Sequence, residues 1–417
     1  MKYGLIGEKL SHSFSKEIHE SLADYTYEIR ELTPDEVAPF LEARKFEGIN
    51  VTIPYKEKVI PHLDSVSDAA KKIGAVNTIK KLDGKLIGDN TDFYGMREMI
   101  LRAGIEIGGK KALILGTGGT SKTAKAVLSD LGAKELITVS RQASENTVTY
   151  ETAIALHSDA EIIVNTTPLG MYPKTEGVPI DIAHFPNLSG VIDAIYNPLR
   201  TNLILEAEGR GIPAVGGLMM LILQAAKASE IFLGKKIGDK EVEAVIKNIF
   251  KSKENIVLIG MPGSGKSTLG KLIAEMTDRA FIDTDTVIEE ITGKHPAEII
   301  RESGENAFRD IETQAVREVS KRSGIVIATG GGIVKRWGNI PLLRQNGKIL
   351  YIDCSTDELP VTPDRPLSSS REVIEELHRT RHPLYTVAAD AVIAISHNNE
   401  LKNNANEVLK IFSEMII

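Results

Sequence analysis

One loop constrains this chain more than any other feature: residues Gly260–Ser267 run Gly-Met-Pro-Gly-Ser-Gly-Lys-Ser. They fit the pattern G-x-x-x-x-G-K-[ST] and follow an apolar segment, from Asn255, that is typical of a buried strand. Glycines there let backbone N–H groups converge on phosphate oxygens, while the Lys266 ammonium neutralises charge and the Ser267 hydroxyl can ligate Mg²⁺. The loop therefore predicts an α/β domain that binds a nucleotide, and it leaves the substrate open.

The length of the chain, 417 residues, indicates more than one such domain. At roughly 150 residues per domain, the expectation is about 2.8 domains. Short apolar strands alternate with helical patterns throughout, which favours parallel sheets covered by helices. We expect domains over 1–102, 103–250 and 255–417, with helices in 217–250 able to pack back on the first and a polar joint at Lys251–Glu254.

Composition narrows the classes of partner. The chain has 50 Lys and Arg against 57 Asp and Glu, and its net charge of −7 argues against nucleic-acid binding through a bulk basic surface. The single cysteine, Cys354, excludes an intrachain disulfide and fits a reducing compartment. The first residues lack the apolar core of a secretory signal, and the longest apolar stretch is far below the ~20 residues of a membrane helix. We therefore expect a cytoplasmic protein without nucleic-acid or membrane partners, of open oligomeric state.

Polar residues beyond the phosphate-binding loop indicate what its substrate carries. Asp283 and Asp285 follow the next predicted strand, where two carboxylates can hold hydrated Mg²⁺ and a substrate hydroxyl, or can simply cap the next helix. Thr329–Gly332 follows another strand, and its glycines permit close approach of a ring-shaped ligand or form a plain loop. Three arginines can clamp anionic oxygens or face solvent: Arg309, Arg365 and Arg381.

In order and spacing these residues resemble shikimate kinase over about Asn255–Phe412. The resemblance implies a parallel-sheet kinase domain in which Ser267 ligates Mg²⁺, with Asp283 in its outer shell. It also implies that ATP binds a run of six residues: Gly263, Ser264, Gly265, Lys266, Ser267 and Thr268.

The same resemblance implies a shikimate pocket around Asp285 and Gly331. Arg309 and Arg381 would pair the substrate carboxylate, and Asp285 would orient the attacking hydroxyl and accept its proton. Arg365 would reach the phosphates from a lid and stabilise the developing charge. The stretch before Arg365 is shorter than is usual in the family and carries no other arginine.

A second glycine loop, Gly116–Ser121, follows the predicted strand at Lys111 and opens a helix. It satisfies G-x-G, with Ser121 where the dinucleotide-binding fingerprint has its third glycine, so it predicts a Rossmann domain with moderate specificity. Arg141 ends the next strand, where an acidic residue would bind the ribose of NAD. An arginine there favours the 2′-phosphate of NADP, unless it is only a surface charge.

The first hundred residues hold several polar strand ends that structure alone does not require. Asn50–Lys56, Gly74–Thr78 and Gly88–Asp92 each end a predicted strand, and Ser11–Ser15 adds hydroxyls in a loop. A lysine and an aspartate facing one ligand form a usable acid/base pair, because the carboxylate holds an ammonium that passes a proton to a reduced carbonyl. Taken singly, each residue is better explained by a cap or a turn.

Taken together, these motifs and Asn165–Pro173 resemble shikimate dehydrogenase over about Met1–Ile249. The resemblance implies that Lys56 is the catalytic acid/base, paired with Asp92, and that Ser13 and Ser15 bind the substrate carboxylate. The ring oxygens would be held by the following residues, with Tyr196 nearby: Thr52, Asn77, Asp92 and Gln224. The NADP site would be lined by Gly116, Thr117, Gly118, Gly119, Thr120, Ser140, Arg141, Ala194 and Gly217.

Relatives often have a full helix between Arg141 and the strand at Glu161, whereas this chain shows a short polar run.

Together, the two resemblances predict a bifunctional enzyme: NADPH-dependent reduction of 3-dehydroshikimate to shikimate, then ATP-dependent phosphorylation of shikimate with Mg²⁺. Two alternatives stay open. The dehydrogenase half can prefer quinate and the kinase half another small polyol, although paired arginines indicate a carboxylate. The kinase half can also be weak or regulatory.

Overall fold

The computed structural model describes residues 1–10, 13–361, 370–396 and 398–416. It divides into two compact units, Met1–Ile246 and Lys247–Ile417, and each is described by itself. The first unit contains two sheets and the second contains one. The fold is α/β throughout, as predicted. In the described ranges, no helix has both the length and the apolar character needed to span a bilayer.

The first sheet has six strands in the order β2-β1-β3-β5-β6-β4. They are β1 (Tyr3–Gly7), β2 (Tyr27–Glu31), β3 (Gly48–Val51), β4 (Ser65–Val66), β5 (Thr78–Leu82) and β6 (Lys85–Asp89). β5 runs antiparallel to both β3 and β6, so this sheet is mixed rather than fully parallel. The reason is a hairpin at Asp83–Gly84, where both residues have positive φ, as the tight turns of β-hairpins require.

Five helices belong with this sheet. They are α1 (Ser15–Leu22), α2 (Pro34–Glu42), α3 (Asp68–Ile73), α4 (Thr91–Arg102) and, from later in the chain, α8 (Gly217–Leu233). Gly95 lets α4 and α8 approach closely, since a Cβ there would lie 2.7 Å from the Met220 carbonyl oxygen. Phe232 near the end of α8 contacts Gly48 and stacks on Tyr3 at 5.6 Å. This packing places the last turns of α8 beside the amino ends of β1 and β3.

The second sheet is fully parallel, in the order β11-β10-β9-β7-β8. Its strands are β7 (Lys111–Leu115), β8 (Glu135–Val139), β9 (Ile162–Asn165), β10 (Gly190–Asp193) and β11 (Ala214–Val215). Its helices are α5 (Gly119–Asp130), α6 (Tyr150–Leu156) and α7 (Asn202–Gly209). The expectation of only a polar run after Arg141 is wrong: α6 follows that run, because the Thr149 hydroxyl accepts the Thr152 N–H as an N-cap.

The third sheet is also fully parallel, as predicted for a P-loop kinase domain, in the order β13-β14-β12-β15-β16. Its strands are β12 (Asn255–Ile259), β13 (Phe281–Asp283), β14 (Val326–Ala328), β15 (Gly347–Cys354) and β16 (Ala391–Ile395). All of β12 is buried, as expected of a central strand covered on both faces, and Cys354 is buried in the same core.

The remaining helices are α9 (Asp239–Lys253), α10 (Lys266–Thr277), α11 (Thr284–Thr292), α12 (Pro296–Ser320), α13 (Asn339–Asn346), α14 (Arg371–Ala388) and α15 (Leu401–Glu414). α12 is kinked at Gly304, whose φ is 83°. The expected polar joint at Lys251–Glu254 is wrong, because Lys251–Lys253 form the last turn of α9 and Glu254 is buried. In sequence, the charged last turn of a helix is hard to distinguish from a linker, because both are rich in polar residues.

Candidate active sites

A cavity of about 470 Å³ lies in the first unit, within the range of small-molecule sites. It is lined by side chains from β1, β3, α1, α4 and α8 and by the loops that follow several strands. All eight residues predicted to bind the dehydrogenase substrate line it: Ser13, Ser15, Thr52, Lys56, Asn77, Asp92, Tyr196 and Gln224. Residues far apart in sequence therefore converge on one space large enough for a substituted six-membered ring.

Lys56 and Asp92 form an ion pair in this cavity, with Nζ 2.6 Å from Oδ2. Asp92 occupies the first turn of α4, where its N–H and that of Phe93 donate to the Asn90 side chain. Lys56 lies at the end of a turn, and its backbone carbonyl oxygen accepts the Val76 N–H at 2.8 Å, which anchors the turn. The carboxylate holds the ammonium as a positioned proton donor, the arrangement that general acid catalysis requires.

Two amide side chains provide further polar contacts around the pair. Asn77 Oδ1 accepts hydrogen bonds from the Thr91 N–H at 2.7 Å and from the Thr78 hydroxyl, which fixes the orientation of this buried side chain. Gln224 Oε1 is buried without a hydrogen-bond partner in the described structure. An orphaned acceptor at a cavity wall indicates a donor on the ligand, and a ring hydroxyl supplies one.

His19 also lines this cavity, and the sequence analysis did not single it out. Its Nδ1 lies 2.7 Å from Tyr25 Oη and 3.2 Å from Ser229 Oγ, and its ring stacks on Tyr27 at 4.0 Å. Burial lowers the pKa of His19 to about 3, so the imidazole is neutral. The sequence gives one indication that His19 lines the cavity: it lies about one helical turn after Ser15 and so on the same face of α1.

The second glycine loop follows β7 and opens α5, as predicted. Gly116 has a φ of 106°, and a Cβ there would meet Thr166 and Thr167. The N-cap of α5 is Gly118, so no side chain caps the first N–H groups. Gly118 and Gly119 are exposed with open space beside them, and Thr120 reaches the substrate cavity. A free helix N-terminus beside unobstructed glycines fits a pyrophosphate.

The other predicted cofactor residues lie at two places. Ala194 and Gly217 contact each other, since a Cβ on Gly217 would overlap the Ala194 carbonyl, and both line the substrate cavity. Thr117 and Arg141 are exposed, and Ser140 hydrogen-bonds the backbone of Gln142, which shapes the turn that presents Arg141 after β8. An exposed guanidinium at this strand end fits a 2′-phosphate.

In the second unit, the P-loop wraps around Lys266, which is only 7% exposed. Its Nζ donates to the carbonyl oxygens of Gly260 at 3.0 Å and Met261 at 2.8 Å, and it lies 3.4 Å from Ser264 Oγ. Burial is the main cause that lowers the pKa of Lys266 to about 8. Gly265 has a φ of 79° and caps α10 without a side-chain acceptor, so free N–H groups face the loop. This cradle fits an anionic phosphate chain.

Oxygen atoms for a hard cation adjoin the cradle. The Ser267 hydroxyl donates to Asp283 Oδ2 at 2.6 Å, and Asp283 Oδ1 accepts the Asp285 N–H at 3.0 Å. Asp283 therefore caps α11, as one alternative expected, and also reaches the P-loop serine, while its role beside Mg²⁺ stays a prediction. Hydroxyl and carboxylate oxygens are the ligands that Mg²⁺ prefers. Gly263 and Thr268 complete the exposed rim of the loop.

Asp285 faces the interior of the kinase site. Burial and the Asp283 charge raise the pKa of its carboxyl. A Cβ on Gly330 would lie 2.9 Å from Asp285 Oδ1 and 3.2 Å from Glu312 Oε1, so both carboxyls converge on this glycine. A carboxylate with a raised pKa is a better proton acceptor, which suits a general base.

Both predicted substrate arginines are buried near the glycine-rich loop. Arg309 Nη1 donates to Glu312 at 2.7 Å and Nη2 to Glu305 at 3.1 Å, whereas Arg381 Nη1 donates to the Gly331 carbonyl at 2.8 Å. Neither faces solvent, so the surface alternative for Arg309 is wrong. Buried guanidiniums retain donors for a substrate carboxylate because each carries five N–H groups.

Glu312 is a site residue that the sequence analysis missed. Its side chain is completely buried, its Oε1 has no partner in the described structure, and burial raises the pKa of its carboxyl. Nothing in the Glu-rich sequence of α12 distinguishes it, since only the three-residue spacing from Arg309 places both on one helix face. Arg365 lies outside the described residues.

The family model described as shikimate dehydrogenase substrate binding domain matches residues 5–79, and the model described as shikimate kinase matches residues 262–415. The shikimate dehydrogenase (NADP(+)) of Clostridium beijerinckii is 39% identical over 269 residues, which cover 60% of this chain and 99% of that protein.

Two solved structures agree with that match. The chorismate mutase/shikimate 5-dehydrogenase fusion protein from Clostridium acetobutylicum has a TM-score of 0.57 at 34% identity, covering 59% of this chain and 96% of that one. The shikimate 5-dehydrogenase from Thermus thermophilus, in complex with NADP(H) and shikimate, has a TM-score of 0.54 at 29% identity, covering 59% and 98%.

Fold, sites and matches define an enzyme that joins an oxidoreductase to a phosphotransferase in one chain. The chain belongs to the shikimate dehydrogenase family over its N-terminal part, and it carries a shikimate kinase domain at its C-terminal end. The predicted fusion of these two families is confirmed.

Proposed function

We propose that this chain catalyses two consecutive steps: reduction of 3-dehydroshikimate to shikimate with NADPH, and phosphorylation of shikimate to shikimate 3-phosphate with ATP. One observation carries the proposal: both families matched by this chain are named for the same compound, shikimate. The product of the first site is then the substrate of the second. In this division, 1–102 with helices from 217–250 binds substrate, 103–250 binds NADP and 255–417 is the kinase.

In the dehydrogenase site, the proton donor is Lys56. NADPH, when bound at Gly116–Thr120 and Arg141, supplies the hydride. As the 3-keto carbon accepts the hydride, the carbonyl oxygen takes a proton from Lys56 Nζ, and Asp92 holds the remaining amine in place. Gln224 Oε1 accepts a ring hydroxyl, and Ser13 and Ser15 donate to the substrate carboxylate. An exposed Arg141 favours NADP over NAD.

In the kinase site, the proton acceptor is Asp285. Its raised pKa lets it take the proton of the 3-hydroxyl as that oxygen attacks the terminal phosphorus. Arg309 and Arg381 bind the substrate carboxylate, and close packing at Gly331 holds the ring. Lys266 and the loop N–H groups would hold the phosphates of ATP, and Ser267, with Asp283 behind it, would hold a Mg²⁺ ion that neutralises their charge. The resemblance also implies a charge-stabilising role for Arg365, which lies outside the described residues.

Two substitutions separate the two steps. Lys56→Ala should lower NADP-linked turnover by about 10²- to 10⁴-fold, the usual worth of a positioned acid, and should leave shikimate-dependent ADP formation intact. Asp285→Asn should do the reverse. The matched controls are Lys58→Ala, an exposed lysine two residues away, and Asp310→Asn, an exposed aspartate on α12. Loss of both activities in either site variant would contradict two independent sites.

A further inference from the structure

Three side chains with metal-ligating atoms cluster in the second unit, apart from every residue assigned above. Asp353 lies near the end of β15, and His378 and His382 lie one turn apart on α14. The His378 Nε2 atom is 3.9 Å from Asp353 Oδ1, and the His382 Nε2 atom is 3.8 Å from Asp353 Oδ2. One ligand atom from each residue lies within 4.8 Å of the other two, and all three side chains are half-buried.

These separations are too long for hydrogen bonds and close to those around a shared ion. An N–H···O bond usually spans about 2.7 to 3.2 Å between heavy atoms and is not formed at about 3.6 Å or more. Two atoms that each lie about 2.1 Å from a tetrahedral ion are about 3.4 Å apart. Each side chain would therefore need to move by only about half an ångström to ligate one ion.

Neighbouring groups already orient two of the three ligands. The buried Tyr351 donates its hydroxyl to Asp353 Oδ1 at 2.9 Å. The Thr386 hydroxyl donates to the His382 carbonyl at 2.9 Å, so at 3.3 Å it accepts the Nδ1–H of the His382 ring. That bond leaves the lone pair on Nε2, the atom that faces Asp353. Metal-ligating histidines are oriented by this kind of second hydrogen bond.

We propose that Asp353, His378 and His382 form a site for a divalent transition-metal ion of the Zn²⁺ class. Two imidazoles and one carboxylate suit Zn²⁺, whereas Mg²⁺ prefers oxygen ligands and belongs to the P-loop site. The ion ties α14 to the end of β15. α14 also carries Arg381, whose guanidinium donates to Gly331, so the ion steadies the helix that presents this arginine.

The test is calorimetry of Zn²⁺ binding to the full-length chain after a chelator has removed any bound metal. Millimolar Mg²⁺ is present throughout to fill the oxygen-ligand site at the P-loop. The wild type should bind one Zn²⁺ per chain at this site, and His378→Ala/His382→Ala should lose it. His184→Ala is the matched control and should leave binding unchanged, because His184 lies 3.9 Å from Asp181 and this pair has no third metal-ligating group beside it among the described residues.

A second variant keeps the test decisive if the double variant does not fold. Tyr351→Phe removes only the hydroxyl that orients Asp353 and should weaken Zn²⁺ binding by about tenfold. Zn²⁺ should also raise the thermal midpoint of the wild type more than that of either variant. Zn²⁺ binding that is equal in the wild type and these variants, or that Mg²⁺ displaces, would overturn the proposal.

Discussion

The buried Lys266 ammonium makes nucleotide binding by the kinase domain depend on pH. Burial lowers its pKa from 10.5 to about 8, which corresponds to about 3 kcal/mol against the charged form at 1.4 kcal/mol per unit. Bound phosphates place negative charge beside Nζ and favour the ammonium, so nucleotide binding should raise this pKa again. ATP binding is therefore coupled to proton uptake wherever the free protein has lost that proton.

The size of the uptake follows from the lowered pKa. At pH 8 about half of the free chains carry neutral Lys266, so each ATP bound should draw in about 0.5 proton; at pH 7 the figure is about 0.1. The phosphates of ATP are already ionised at pH 8 and contribute little. Above pH 8 the affinity should fall, by up to tenfold per pH unit, until the pKa of Lys266 in the nucleotide complex is passed.

Calorimetry of ATP binding without shikimate, in two buffers of different ionisation enthalpy, measures the protons taken up. Lys266→Met should abolish the uptake at pH 8 and weaken binding. Lys271→Met, which removes an exposed lysine from the same helix, should change neither. No uptake at pH 8 in the wild type, or equal uptake in the Lys266 variant, would refute the reasoning.

Two further predictions follow from buried groups. The pKa of buried Asp193 is raised by burial to about 6, above its unfolded value of 3.8, so its contribution to stability is full below pH 3.8 and is lost as pH rises through 6. Between pH 5 and 7 the wild type should lose about 1 kcal/mol of unfolding free energy relative to Asp193→Asn, measured by denaturant titration; equal losses would contradict this. Gly332→Ala should raise the shikimate KM of the kinase about a hundredfold, because its Cβ would overlap the Arg309 guanidinium. Gly338→Ala, with open space at its Cβ, is the control in the kinase assay, and an equal effect of both variants would count against an Arg309 role.

Sequence predicted well where local chemistry and position coincide. The P-loop glycines must follow a strand and open a helix, so the motif located Lys266 and Ser267, and the end of the next predicted strand located Asp283 and Asp285. The eight residues predicted for the dehydrogenase substrate line one cavity, to which strand ends and the helices α1, α4 and α8 contribute. The sequence therefore predicted correctly that Lys56 and Asp92, which are 36 residues apart in the chain, form a pair.

Sequence failed where tertiary packing decides. Nothing local distinguishes Glu312 from the other acidic residues of α12, or His19 from a surface histidine, because both acquire their character from burial. The antiparallel β5–β6 pair had a signal in Asp83–Gly84, a dipeptide typical of tight hairpins, which the alternation of strands and helices obscured. The proposed metal-ligating residues come from two elements: Asp353 lies near the end of β15, and His378 and His382 lie one turn apart on α14. Only the fold brings these two elements together.

The most direct test of two consecutive reactions supplies 3-dehydroshikimate, NADPH and ATP with Mg²⁺ to the single purified chain and follows products by mass. The account predicts shikimate first and then shikimate 3-phosphate, with one NADP⁺ and one ADP formed for each molecule that completes both steps. Lys56→Ala should form neither product until shikimate is added, and should then form shikimate 3-phosphate. Accumulation of shikimate without ADP in the wild type would contradict the account and leave the C-terminal domain a binding module.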